Sequence, residues 1–169
     1  MRSRASAWKS SSSSMRGTRT VAAGASNPKI LIVTADYYED LGKLLEKGAR
    51  ERFLEAGVAE ERILLRRVPG CWELPLEVRR LVRLHAPDAV AALGVLIRGE
   101  TDHYDHIARE CCAGLMRVGL EEDIHVALGV LTCRNRAQAE DRCGVRSPER
   151  NKGREAANAI LRILPADSD

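Results

Sequence analysis

A chain of 169 residues, 44% of them hydrophobic, is long enough to bury one core and short for two domains. It holds a single Phe, so that core must be aliphatic, and its net charge of +3 is unevenly spread. Six of the 27 basic residues (Arg2, Arg4, Lys9, Arg16, Arg19 and Lys29) lie in the acid-free stretch 1–29, leaving 21 bases against 24 acids in a body with no basic stripe interleaved with aromatics, which excludes a nucleic-acid-binding role.

Residues 1–28, with the serine run Ser10 to Ser14, read as a disordered, basic, Ser-rich extension ahead of a domain over 29–169. The extension has no apolar segment of the secretory kind, and nothing in the chain approaches membrane-spanning length. An organelle transit peptide, an extended start upstream of Met15 and an expression remnant all remain compatible with it; the body reads as cytoplasmic. Removing Met1 to Ser26 takes away no expected core residue, so folding and activity should survive the deletion. The five cysteines (Cys71, Cys111, Cys112, Cys133, Cys143) are odd in number and include no CxxC pair, which fits free thiols in a reducing compartment. The pair His103 and His106 has no third ligand nearby in sequence, and no metal is expected.

From Lys29 onward the pattern alternates. Ile30 to Thr34 is a continuous apolar run, as expected of a strand buried on both faces. Leu41, Leu44, Leu45, Ala49, Phe53 and Leu54 recur at helical spacing and stop at Gly57. Ile63 to Val68 is a second strand, broken by Pro69-Gly70, and Pro75 opens a helix carrying Leu76, Leu81 and Val82. Ala89 to Ile97 predicts the third strand, Tyr104 to Val118 the third helix, and Ile124 to Leu131 the fourth strand. Helical stretches over Arg136–Cys143 and Glu149–Leu164 close the chain. Buried strands alternating with helices imply an α/β fold with a parallel sheet, right-handed crossovers and helices on both faces.

In such sheets ligands bind outside the carboxyl ends of the strands. Those ends carry Asp36-Tyr37-Tyr38-Glu39, Pro69-Gly70-Cys71-Trp72-Glu73, Arg98 to His103, and Thr132-Cys133-Arg134-Asn135. The third is the most telling: a buried run empties into a Gly-containing turn that opens a helix, with backbone N–H groups and an imidazole at its mouth. That arrangement suits an anion together with proton transfer; the plainer alternative is a strand-to-helix turn capped by Thr101.

The segments Val68-Pro69-Gly70-Cys71-Trp72-Glu73-Leu74-Pro75, Gly94 to Tyr104, Gly129-Val130-Leu131-Thr132, Arg142-Cys143-Gly144 and Asn151-Lys152-Gly153 occur in an order that resembles the lumazine synthase family, over about Lys29 to Leu164. The resemblance implies a flavodoxin-like three-layer α/β/α sandwich with a four-stranded parallel sheet. It implies condensation of 5-amino-6-ribitylaminouracil with 3,4-dihydroxy-2-butanone 4-phosphate to 6,7-dimethyl-8-ribityllumazine, releasing phosphate and water, in riboflavin synthesis and with no cofactor.

Carried over by residue, the resemblance implies that Tyr37 stacks on the uracil ring and that Trp72 and Glu73 line the ribityl arm. Gly99, Glu100 and Thr101 would present N–H groups to the phosphate, and Arg142 would reach that phosphate from a neighbouring subunit. His103 would move protons, Lys152 would hold the pyrimidine carbonyl, and Leu128 would form a wall contributed by the partner subunit. The chain departs from the family pattern at Tyr37 (usually Phe), Trp72 (usually Phe, Tyr or Leu), Cys133, Arg134 and Leu128, and it is two residues longer between Arg142 and Lys152. Family members are pentamers, some packed further into shells of sixty subunits; the longer, Pro148-containing segment favours a free pentamer here. The alternatives are a flavin- or lumazine-binding homologue without turnover, and a shell-forming homologue whose site residues are relics. Retention of both His103 and Arg142 favours the enzyme.

Overall fold

The computed structural model describes residues 27–164. Four strands, β1 (Ile30–Ala35), β2 (Ile63–Val68), β3 (Ala89–Ile97) and β4 (His125–Cys133), alternate with five helices. These are α1 (Glu39–Glu55), α2 (Leu74–His85), α3 (His103–Glu122), α4 (Arg136–Arg142) and α5 (Lys152–Ile163). The strands form one parallel sheet in the order β2-β1-β3-β4, so β1 and β3 are central and β2 and β4 are edges. The expected fold class is therefore the observed one. The extension expected over 1–28 lies outside the described residues as far as Ser26; of its last two, Asn27 accepts a hydrogen bond from the Ala59 N–H at 2.9 Å.

The alternation of side chains along the central strands builds both faces of the core. Ile30 and Ile32 on β1, with Ala89, Ala91, Leu93 and Val95 on β3, join Leu41, Leu45, Phe53, Ala157 and Ile160 in one apolar layer. Leu31, Val33 and Ala35, with Val90 and Ala92, join Leu74, Val78, Val82, Cys111 and Leu115 in the other. The α1 and α5 helices thus cover one face, and α2 and α3 the other. The lone Phe, Phe53, is fully buried, and aliphatic side chains supply most of the rest.

The structure departs from the sequence expectations mostly at element ends. The last helix begins at Lys152 and not at Glu149, because Pro148–Arg150 forms a separate 3-10 turn and Asn151 caps α5 by accepting from the Arg154 N–H at 3.0 Å. The fourth strand runs two residues further than expected, to Cys133, since Cys133 pairs with Ile97 at the end of β3. The third helix is longer at both ends and starts at His103 itself. Thr101 does not cap it: Asp102 occupies the cap position, without a side-chain cap bond.

Two close backbone approaches set the sheet's carboxyl edge. A side chain at Gly94 would meet Cys71 Sγ at 2.7 Å and Ala35 Cβ at 3.0 Å, so only glycine lets the 69–73 loop fold beneath the end of β3. At Gly153, a Cβ would lie 2.0 Å from the Leu45 carbonyl oxygen, so the start of α5 is seated directly on α1.

Candidate active site

Four loops converge at the carboxyl ends of the strands. After β1, Tyr37 and Tyr38 meet edge to face, with ring centroids 5.0 Å apart and planes at 77°. Tyr37 is 76% exposed, so most of its ring is open to solvent at this edge. After β2, the loop is pinned at Val68 and Cys71, both buried, while Trp72 between Cys71 and Glu73 remains 58% exposed. After β3, the Arg98 N–H bonds the Cys133 carbonyl oxygen at 2.8 Å, and the chain then leaves the sheet toward α3. Among the described residues the N–H groups of Gly99, Glu100 and Thr101 find no acceptor, and they stand just ahead of a 20-residue helix whose amino end favours negative charge.

These loops enclose a cleft of about 330 Å³, lined by Tyr37, Trp72, Gly99, Thr101 and His103 together with Tyr38, Tyr104 and Ile107. Glu73 and Glu100 are exposed but do not line it. Leu128, Arg142 and Lys152 lie elsewhere, in a second cleft of about 420 Å³ along the open edge of β4 that also includes Thr132, Gln138 and Asp141. One chain therefore carries two separate groups of the expected site residues. Leu128 is half exposed on an edge strand, and Arg142, the last residue of α4, has no carboxylate partner among the described residues. Lys152 pairs with Glu155 on the same helix.

Tyr38 and Tyr104, which the sequence placed at this edge without a role, and Ile107, which it named only by helical pattern, complete the first cleft. The signal was adjacency: Tyr38 follows Tyr37, and Tyr104 and Ile107 flank the first turn that begins at His103. Arg98 is tied down at the base of the loop, 2.7 Å from Asp105 and with its guanidinium 5.7 Å from the Tyr104 ring centre. A larger cavity, about 610 Å³, lies at the amino ends of β3 and β4 and is mainly apolar, lined by Leu115, Met116, Leu120, Ile124 and Ile163. That cavity has an exposed imidazole of its own, His125, but the unpaired N–H groups of Gly99 to Thr101 and the exposed Tyr37 and Trp72 are at the other end of the sheet, with His103.

Among the described residues, Cys71 is the cysteine that lines the first cleft. It is buried in the floor with its own S–H directed at the Val95 carbonyl oxygen, and the bond that the Cys111 S–H donates to the Cys71 sulfur, with burial, drives the Cys111 thiol far above its ordinary value. Burial likewise raises Cys133, opposed in part by the nearby Arg142 guanidinium, and pushes Cys143 up to about 12. Thiols so shifted stay protonated near neutral pH and are poor nucleophiles. Among the described residues no three His, Cys, Asp or Glu side chains gather as a metal site. The first cleft thus brings together exposed aromatic rings, a backbone turn whose N–H groups are unpaired among the described residues, and the His103 imidazole.

The model of the 6,7-dimethyl-8-ribityllumazine synthase family matches residues 27–166. The chain belongs to that family. A 6,7-dimethyl-8-ribityllumazine synthase of Levilactobacillus brevis is 41% identical over 139 residues, covering 82% of this chain and 87% of its own length. Proteins of the same name from Stenotrophomonas maltophilia strains R551-3 and K279a are 44% identical over 120 residues, 71% of this chain and 76% of theirs. The match to the lumazine synthase family spans every strand and helix of the fold.

Proposed function

We infer that this protein is a 6,7-dimethyl-8-ribityllumazine synthase, a transferase of riboflavin synthesis. It condenses 5-amino-6-ribitylaminouracil with 3,4-dihydroxy-2-butanone 4-phosphate and releases phosphate and water. The observation that carries the reading is the cleft at the carboxyl edge, where exposed aromatics, unpaired N–H groups and His103 meet within a chain of this family.

The residue roles follow from the demands of each step. Tyr37 offers a face to the flat pyrimidine, while Trp72 and the Glu73 carboxylate flank the ribityl chain, whose hydroxyls donate to a carboxylate. The N–H groups of Gly99, Glu100 and Thr101 receive the phosphate, and Arg142 adds a two-pronged, charge-assisted contact. The substrate amine then attacks the ketone, phosphate leaves by elimination, and the ring closes through an imine. Each stage needs a base and then an acid near neutral pH, which the imidazole of His103 supplies. Lys152 holds the pyrimidine carbonyl and Leu128 walls the pocket.

His103 and Arg142 line different clefts of one chain, which supports a homo-oligomer whose sites form between subunits. The exposed Met116 (66%) and Leu120 (77%) on α3, with Ile163 (51%) on α5, supply an apolar surface for such contacts. Among the described residues no helix is long and apolar enough to cross a membrane, and the compartment we propose is the cytoplasm.

The test is direct. Mixing both substrates with purified protein should produce the lumazine absorbance well above the spontaneous rate. A rate equal to that of the protein-free mixture would leave a binding or shell-forming homologue in its place.

A further inference from the structure

Asp141 and Arg142 are consecutive at the carboxyl end of α4, and both line the cleft along β4. A carboxylate next to an arginine that takes a phosphate is a liability: it competes for the guanidinium and repels an incoming dianion. The chain answers with a second arginine. Arg150 Nη2 lies 2.8 Å from Asp141 Oδ2, while Arg142 is left without a carboxylate partner among the described residues.

The position of Arg150 is set by its backbone. It is the last residue of the Pro148–Arg150 turn, its N–H bonds the Ser147 carbonyl oxygen at 2.9 Å, and its neighbour Asn151 is buried and held by two side-chain bonds. The Arg150 and Asp141 side chains are 48% and 32% exposed, and ion pairs this wet contribute little to folding. Their effect is on charge distribution at the cleft. With Asp141 engaged by Arg150, and Lys152 by Glu155, Arg142 is the unpaired cation of the lining among the described residues.

We propose that Arg150 is a positioning residue for the anion site: by engaging Asp141, it keeps Arg142 free for the phosphate group of the butanone substrate. This rests on the reading of Arg142 as the phosphate contact. A single charge at the rim of a site is partly screened, so its removal is worth a modest factor and acts on one substrate only.

The experiment is a set of variants assayed at fixed ionic strength, with inorganic phosphate as a competing probe and thermal melting as a check on folding. Arg150→Gln should raise KM for the butanone phosphate about three- to tenfold and weaken phosphate inhibition in parallel. Its kcat and its KM for the ribityl substrate should stay within about twofold of the parent. Arg150→Lys, which keeps the charge, and Arg150→Gln combined with Asp141→Asn, which removes the unpaired carboxylate, should both restore KM. An unchanged KM in Arg150→Gln, or a rise that Asp141→Asn fails to relieve, would overturn the proposal. Arg142→Ala is measured alongside: if it leaves that KM unaltered, the reading of Arg142 itself falls. If it raises KM while Arg150→Gln does not, only the role of Arg150 falls.

Discussion

The Nδ2 of Asn151 donates to the Cys143 carbonyl oxygen at 2.7 Å, closing the ends of the 144–150 segment upon each other. The same amide donates to the Leu44 carbonyl oxygen at 2.9 Å, and its oxygen caps α5. One buried side chain, 6% exposed, thus joins α1, α4 and α5. Asn151→Ala should orphan these groups at a cost of about 1–3 kcal/mol each where burial is complete. A melting temperature lower by roughly 2–4 °C per kcal/mol is expected for a chain of this size. An unshifted thermal transition would show that water replaces the amide without loss.

The alternation of strands and helices was legible because each central strand is apolar on both faces and each helix keeps an apolar stripe. The carboxyl-edge loops could be found by the same logic, since topology alone sends β1, β2 and β3 to one edge. The resemblance already implied that Arg142 acts on a neighbour's site; what the sequence could not show was that Lys152 lies with it in the cleft along β4, apart from His103. That depends on how far α4 and α5 stand from the 99–103 turn, which no local pattern encodes. Nor was Asn151 recognisable as a structural node. It stands beside Lys152 in a short polar motif, and only the packing of α5 on α1 shows which of the two is buried.

His103→Ala should lower turnover by about 10²–10⁴-fold, the usual share of general acid–base catalysis. His103 is exposed at the start of α3 and holds no core contact, so the fold should not suffer. A residual rate should persist, because losing the acid–base group leaves substrate binding and orientation in place, and binding of the ribityl substrate measured by titration should be nearly unchanged. Wild-type turnover in this variant would remove His103 from the mechanism.

Arg142→Ala should weaken use of the butanone phosphate far more than binding of the ribityl substrate, since only the former carries a dianion. Loss of a hydrogen bond to a charged group costs about 1.5–3 kcal/mol, roughly ten- to a hundredfold in KM. Subunit mixing makes a sharper test. If each site takes His103 from one chain and Arg142 from the next, co-refolding equal amounts of the two impaired variants regenerates about a quarter of the intact sites around a closed ring. Activity that never rises above the sum of the separate variants would mean that both residues serve one chain's own site.

Acid should weaken the α2–α3 contact before neutral pH does. Glu122 accepts from Arg83 at 2.6 Å and from Arg79 at 3.1 Å, and these bonds, that of Arg83 foremost, hold its carboxyl below the ordinary glutamate value. A carboxyl lowered by folding stabilises the protein above its unfolded value of about 4.3, and that contribution is lost as pH falls through the lower folded value. Glu122→Gln should therefore be less stable than the parent at pH 6, with the difference closing toward pH 3 in urea titrations. A gap that stays constant with pH would assign the effect to packing.

The segment joining α4 to α5 holds an exposed Val145 and the charged Arg146, Glu149 and Arg150, with Pro148 opening a rigid turn. Asn151 anchors that segment at its base, so its charged side chains cannot simply fold away. The resemblance implies that in shell-forming members of the family the corresponding connection is short and lies where pentamers meet. Bulk and charge at such a contact disfavour the higher assembly by desolvation and by poor fit, while the apolar α3 surface that we propose as a ring contact is untouched. The expected species is thus a free pentamer, with a mass near five times the 18.6 kDa chain in light scattering. A mass near sixty chains would show that the longer loop fits between pentamers after all. A monomeric mass would undermine the shared site and, with it, the assignment of Arg142 to a neighbour's phosphate.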